Sequence, residues 1–447
     1  MDNKEKIVEK TNDDDLASVY NELDFGCEYT DNLPVILKEL NISLAFTSYQ
    51  AGRLMLVRSD GEKLDVNFKS FPRPMGLTAT DDGLTLGIFT QIINFKREDG
   101  LLDMIKQPLQ RIEDDITAPR IKAKETPNAD KQDIEANKQD NSLSKDYTAD
   151  NKEEDLTQLT PEQLAKVEEQ QKKMKEYQEK LNAAVDERVD ACFITRSAHY
   201  SGMINIHDID WGDEGLWAVN SSFSCLCTLD PDYSFVPRWK PHFISELVPE
   251  DRCHLNGMTL KDGKPAYVTT FSQFDEAGMW RKGEQFNGTL MDVEQNKVLI
   301  DGLAMPHSPR WYKDKVYFCN SGHGLICSYD PETKITETLA EVPGFTRGMD
   351  FYGPIMFVGL SKVRQADVTH PAPLAEKHDE TYSGIWLFNL DNNSEIGHIK
   401  FTGNVDQIYD IAVIPDCSYP ELIEPSHPRM RNHFSHPELH TSDITLG

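Results

Sequence analysis

The sequence predicts an all-β fold, a six-bladed β-propeller closed by strands from both ends of the chain. Three observations predict it. The stretch His307–Val342 reads as four short strands separated by polar turns, and four strands in roughly 40 residues is the unit of a propeller blade. Segments of the same kind recur, with innermost strands starting near Met75, His207, Asn256, Ser308, Arg347 and Tyr409. Finally, three strands near the N-terminus lack an innermost partner, and one strand near the C-terminus has no blade after it. Joining the two completes a blade and removes two exposed edges. Seven blades are the alternative if the long insertion hides one.

The chain has 447 residues, with 26 glycines and 24 prolines, as suits a loop-rich β protein. Residues 1–32 carry ten acids against three bases and little apolar content, a composition that predicts disorder. Asn32–Leu40 reads as a short helix. Residues 33–96 then hold the first part of the propeller: SLAFTSY, RLMLVRS and KLDVNFKSF make the incomplete blade, with turns at Gln50-Ala51-Gly52 and Asp60-Gly61-Glu62. The next blade opens at Pro74 and breaks off after QIINFKRE.

Residues 97–190 are a polar insertion in that second blade, with only two aromatics, Tyr147 and Tyr177, between Arg97 and Cys192. Its composition predicts disorder except for a helix at about 161–184. There Thr160 is placed to cap, Pro161 to start the helix and Gln163 to close a capping box. Leu164, Val167, Met174, Tyr177 and Leu181 form only a thin stripe, read as an exposed helix with a coiled coil as the alternative. Residues 191–416 supply the remaining blades, starting with ACFITRS as the fourth strand of the interrupted one. Residues 417–447, rich in Pro and His, read as a loose tail.

A formal charge of −29 argues against DNA, RNA and anionic membranes as partners. No segment has the ~18 apolar residues of a membrane span, and the N-terminal stretch has no secretory apolar core. Eight cysteines without a framework, several inside strands, read as buried free thiols of a cytoplasmic protein.

The polar residues at the innermost strands are the candidate site. They are Arg73, His207 with Asp208 and Asp210, His254 with Asn256, His307 with Arg310, Arg347 with Asp350, and Asp406 with Tyr409 and Asp410. Ionisable groups there cost desolvation, which function or bracing between blades has to justify. His207, His254 and His307 form one candidate set of ligands for a divalent metal, and the same three histidines with Asp350 are the candidate catalytic residues, a histidine serving as ligand or general base. Asp208 or Asp210 with Asn256 and Asp350 form a second set, suited to Ca or Mg. Strand alternation weighs against the first set, because the three histidines do not share a column of the repeat. Arg73, Asn256, Arg310, Arg347, Tyr409 and Asp410 are the candidate ligand-binding residues, with Arg310 and Arg347 as clamps for a carboxylate or phosphate. His323 reads as a turn residue, and His433, His436 and His440 as exposed tail histidines. No nucleotide-binding glycine loop, nucleophile elbow or HExxH motif is present.

The segments NISLAFTSYQAGRLML, RPMGLT, HDIDWGDEGLWAVNSSFSCL, CHLNGM, PHSPRW, NSGHG and PGFTRGMDF resemble an uncharacterised, mostly bacterial group, a conserved-hypothetical domain of unknown function. Some of its members carry a tetratricopeptide label, which this chain, lacking a 34-residue helical repeat, does not support. The resemblance covers about residues 33–96 and 191–416. The insertion departs from the compact pattern of the group, and the group brings no established activity. At the level of fold the chain is similar to lactonase and strictosidine-synthase-like propellers, whose inner strands carry an Asn-Gly like Asn256-Gly257. In the lactonases an Asn and acidic residues hold a divalent cation. Only Asn256 carries over, since no Glu of an early blade matches.

Two functions follow as expectations. One is a small polar or anionic ligand bound at the channel mouth and acted on by metal-assisted lyase or hydrolase chemistry. The other is a non-catalytic scaffold whose insertion and acidic N-terminus engage a protein partner.

Overall fold

The computed structural model describes residues 24–109, 161–282, 286–363 and 372–435. They divide into two compact units, one of residues 1–106 with 185–447 and one of residues 107–184. The first unit is a six-bladed propeller of six antiparallel four-stranded sheets, two of which carry a fifth strand.

Blade I is closed by both ends of the chain. Ile411–Ile414 is its innermost strand, pairing antiparallel with Ser43–Ser48, which continues into Arg53–Ser59 and Leu64–Ser70. Blade II runs Leu77–Thr80, Gly83–Gly87, Gln91–Arg97 and Ala191–Tyr200, so the insertion lies between its third and fourth strands. Blades III to VI begin with the innermost strands Ile206–Gly212, Leu255–Lys261, Pro306–Tyr312 and Phe345–Tyr352.

The core is distributed over the seams between blades. Strand alternation sends neighbouring side chains to opposite seams. In blade I, Leu44, Phe46, Met55 and Val57 pack toward blade VI, whereas Ala45, Leu54 and Leu56 pack toward blade II. This explains why Ser43–Ser48 and Arg53–Ser59 are buried along their whole length. The helix Leu33–Glu39 seals the first seam with Leu33 and Leu37. The seams narrow toward the axis, and Gly257 marks how closely blades IV and V approach: a Cβ there would lie 2.4 Å from Cδ of Pro309.

Two expectations are corrected. Within the segment read as disordered to residue 32, Cys27–Tyr29 adds a fifth strand to blade VI, pairing antiparallel with Ile399–Phe401. Within the tail read as loose from residue 417, Pro420–Ile423 adds a parallel fifth strand to blade II along Ala191–Ile194. Both strands are short, and their main-chain groups find partners on blade edges, where composition gives little warning. The second is also anchored by burial. Tyr419 is 1 % exposed among Ile105, Val189, Cys192, Ile194 and Ile423, and the guanidinium groups of Arg58 and Arg188 lie 4.3 and 4.5 Å from its ring.

The eight cysteines are all free and seven are buried. In the second unit the helix Pro161–Asn182 carries a Glu169–Lys173 pair at 2.9 Å and an exposed Met174. Thr160, read as its cap, and most of the remaining insertion lie outside the described residues, as do residues 1–23 of the acidic N-terminal stretch. Among the described residues no helix is long and apolar enough to cross a membrane.

Tyr419→Ala is expected to lower unfolding free energy by about 3 kcal/mol or more in urea titrations, as for other large buried aromatics. Tyr419→Phe is expected to change it by less than about 1 kcal/mol, because the hydroxyl has no hydrogen-bond partner among the described residues.

Candidate functional site

The innermost strands carry a chain of side-chain acceptors, mostly carboxylates, that ties each blade to the next. Asp208 of blade III accepts the N–H of Ile209 and that of Met258 in blade IV, both at 3.0 Å. Asp410 accepts from Ile411 and from Leu77 of blade II, and Asp350 of blade VI from Phe351 and from Val413 of blade I. Asp210 accepts from Trp211 and from the Thr78 hydroxyl of blade II. Between blades IV, V and VI hydroxyls do the same work, with Trp311 N–H donating to Thr259 and Gly348 N–H to Ser308.

Arg310 closes this chain across the axis. Its guanidinium donates to Asp208 at 2.8 and 3.3 Å, to Asp410 at 3.2 Å, and to the carbonyls of Met258, Met349 and Pro309. Burial opposes its charge, but Asp208 and Asp410 outweigh burial and hold it above the ordinary arginine value. One cation does not neutralise all the acids around it. Burial, opposed by Arg310 and helped by Asp208, raises Asp410 above the ordinary carboxylate range, and burial pushes Asp350 up to about 6. Asp210 is raised for the same reason. The carboxylates proposed for Ca or Mg thus serve as acceptors for backbone N–H groups, and Arg310 is an internal tie.

Beside this layer lies a small cavity of about 10 Å3, room for roughly one water molecule. It is lined by His207, Asp208, Asn256, His307, Ser308, Arg347, Tyr409 and Asp410. Seven of these eight stand among the residues singled out from the sequence, and Ser308 was noted there as a strand start. Bulges explain how residues from different columns of the repeat meet here. The register shifts between Leu255 and Gly257, between His307 and Arg310 and between Thr346 and Met349. Each bulge places neighbouring residues on the same side, so simple alternation fails there. Ser308 takes a left-handed φ of +50° to do this.

The guanidinium of Arg347 lies 3.5 Å from the centroid of the Tyr409 ring. His207 and His307 are 8 % and 3 % exposed, and both are held well below the usual histidine range, chiefly by burial and then by the nearby charges, Arg347 among them. Both are therefore neutral at pH 7. His307 Nδ1 bonds the Ser321 hydroxyl at 2.9 Å. His207 Nδ1 is buried with no hydrogen-bond partner among the described residues. Asn256 presents its Oδ1 to the Thr269 hydroxyl at 2.9 Å.

His254 sits one step outside this lining. Its ring is 4.7 Å from that of His207, edge to face, and stacks at 4.0 Å on Trp280. Its Nδ1 lies 2.9 and 3.0 Å from the two oxygens of Asp251. Asp251 was not read from the sequence, although its position three residues before His254 was the available signal. The three histidines are neighbours without converging: among the described residues no group of three or more His, Cys, Asp or Glu could hold a metal ion. Arg73 lies apart from the cavity lining, its guanidinium 4.9 Å from the Tyr49 ring and 4.8 Å from the Phe89 ring. Asp406 pairs with Lys362 at 2.5 Å, and His433 stands 3.4 Å from Arg196. His323 lies in the short turn Ser321–His323, while His436 and His440 fall outside the described residues.

A family model described as "Domain of unknown function (DUF4915)" matches residues 31–144 and 151–423. The chain belongs to that family. The match runs through most of the insertion, which corrects the expectation that the insertion departs from the family pattern. No curated protein matches the DUF4915 chain. Among solved structures it is similar to one described as "Crystal structure of Nidogen/Laminin Complex", with 7% identity and a TM-score of 0.43, over 84% of this chain and 99% of that one.

Two outcomes test the electrostatics of this DUF4915 propeller. Arg310→Met is expected to cost at least about 3 kcal/mol, because it strands two buried carboxylates. Asp350, with a folded value of about 6 against about 3.9 unfolded, holds its proton more tightly when folded. Its contribution is full below about pH 4 and is lost as pH rises through about 6, to a total on the order of 3 kcal/mol at most. Urea titrations from pH 4 to 7 should show this decline in the wild type and a flatter profile in Asp350→Asn.

Proposed function

We propose that this propeller binds the anionic end of a small ligand, a carboxylate or a phosphate, in the cavity lined by His207, His307, Arg347 and Tyr409. The observation that carries the reading is His207 Nδ1, a buried polar atom of a cavity-lining residue with no hydrogen-bond partner among the described residues. Leaving such an atom unmet costs about 1–3 kcal/mol, and a ligand oxygen supplies the missing bond. Arg347 supplies the charge. Its field already disfavours protons on His207 and His307, so a site for a cation would be misplaced here. An anion reverses that field and is itself held by a charge-assisted bond. The cavity has room for about one water, so in this reading a single oxygen of the anion takes that place.

The pH dependence follows from the same groups. Both imidazoles are neutral without ligand, and a bound anion raises their proton affinity, so binding takes up protons and tightens as pH falls. Calorimetric titration of the full chain with acetate, pyruvate and inorganic phosphate at pH 8 and pH 6 checks this. We expect at least one of them to bind, more tightly at pH 6, and to weaken at least tenfold in Arg347→Ala, about 1.4 kcal/mol. If none of the three binds the wild type better than that variant, the reading is wrong.

A further inference from the structure

We propose that Asp251 and His254 form a base dyad that removes a proton from the carbon next to the carbonyl of a small 2-oxo acid. This deepens the anion-binding reading and rests on it. A carboxylate has only acceptors at neutral pH, so the two short contacts from His254 Nδ1 to Asp251 require Nδ1 to carry the hydrogen. In the neutral imidazole that fixes the tautomer and leaves the lone pair on Nε2, the atom a general base uses. Asp251 is itself held in place, accepting from the Trp280 indole N–H at 3.0 Å and facing Arg281 at 3.6 Å. Stacking on Trp280 and contact with Phe271 fix the plane of the His254 ring.

Asp251 and His254 both take left-handed φ values, +49° and +51°, a region that Asp and His enter more readily than most residues with a Cβ. A histidine placed only to fill a seam does not need a carboxylate on its nitrogen. The dyad also stands next to what the reaction needs. The His254 ring is 4.7 Å from His207, whose own ring is 5.3 Å from Tyr409, and the Arg347 guanidinium lies over that tyrosine. A base, two neutral imidazoles able to donate to an oxygen, and a cation together suit the formation of an enolate.

The step balances without a co-reactant. His254 Nε2 gains the proton as the C–H bond breaks. The electron pair of that bond becomes the new C=C, and the carbonyl π pair moves onto oxygen, facing His207 and Arg347. Return of the proton from His254 to carbon restores both partners. In D2O the returning atom is deuterium, so the reaction is read as exchange. His254 is the catalytic residue and Asp251 its positioning residue.

The experiment follows loss of the pyruvate methyl signal and of the 2-oxobutyrate methylene signal in D2O by proton NMR, with full-length protein. Binding of the same two acids is measured alongside by saturation transfer. We expect exchange above the buffer rate in the wild type and about 100-fold or greater loss in His254→Gln with binding retained. In Asp251→Asn we expect at least tenfold loss with a displaced pH profile, partly restored in Asp251→Glu. Circular dichroism and urea midpoints of each variant separate this from unfolding. Binding of either acid without exchange by the wild type at any pH from 6 to 9 overturns the dyad and leaves anion binding standing. Exchange that survives in folded His254→Gln also overturns it. Failure of both acids to bind removes the dyad, and failure of acetate and phosphate as well removes the anion reading.

Discussion

The tie between Arg310, Asp208 and Asp410 is the interaction on which the ring depends. A propeller buries its apolar surface in seams that radiate outward, so near the axis the strands are too close for large side chains and too polar for a dry core. One planar guanidinium resolves this by reaching blades I, III, IV and VI from blade V, through two carboxylates and two carbonyls besides that of Pro309. Blade II joins through Leu77, whose N–H donates to the far oxygen of Asp410. Lysine, a point charge without a fork, cannot make this pattern. Breaking the tie is costly because it leaves like charges facing one another in a low dielectric.

That layer also determines what the neighbouring cavity can do. Asp208 and Asp410 line it, yet their oxygens are directed to Arg310 and to backbone N–H groups, so the wall they form is less negative than their identities suggest. Arg347 lines the same cavity, and burial, with Arg347 among the nearby charges, keeps His207 and His307 neutral beside it. The same residue type plays opposite parts a few ångströms apart: Arg310 is structural because carboxylates meet it, while Arg347 lies against a tyrosine ring in the cavity wall.

Most of the fold was legible in the sequence because blades repeat. His307–Val342 shows all four strands with their turns, and the pattern transfers to the rest, including the closure by Ile411–Ile414. What was not legible depends on long-range pairing. Cys27–Tyr29 and Pro420–Ile423 are too short and too mixed in composition to read alone, and they exist because an edge is available to them. At the site, residue type located the cavity but alternation misjudged it, since bulges at His307 and at Arg347 undo the period of two. Arg310 could not be told from Arg347 by sequence, because the difference lies in which carboxylates reach it. Asp251 was missed because a turn aspartate three residues before a histidine is common, and only the Trp280 and His254 contacts set it apart.

The closing strand has one more consequence, for the order of synthesis. Ile411–Ile414 is the innermost strand of blade I, yet all the other main strands of the six blades precede it in the chain. Until it leaves the ribosome, Ser43–Ser48 presents an open edge, Arg310 lacks the second of its carboxylates, and the Asp350 oxygen that meets Val413 has no partner. A nascent chain that has made five blades is thus an open arc with apolar seams on both ends. The ring, its central charge balance and the Tyr409 wall of the cavity are all completed in one late event. A cell making this protein has to keep that arc from pairing with another copy during the interval.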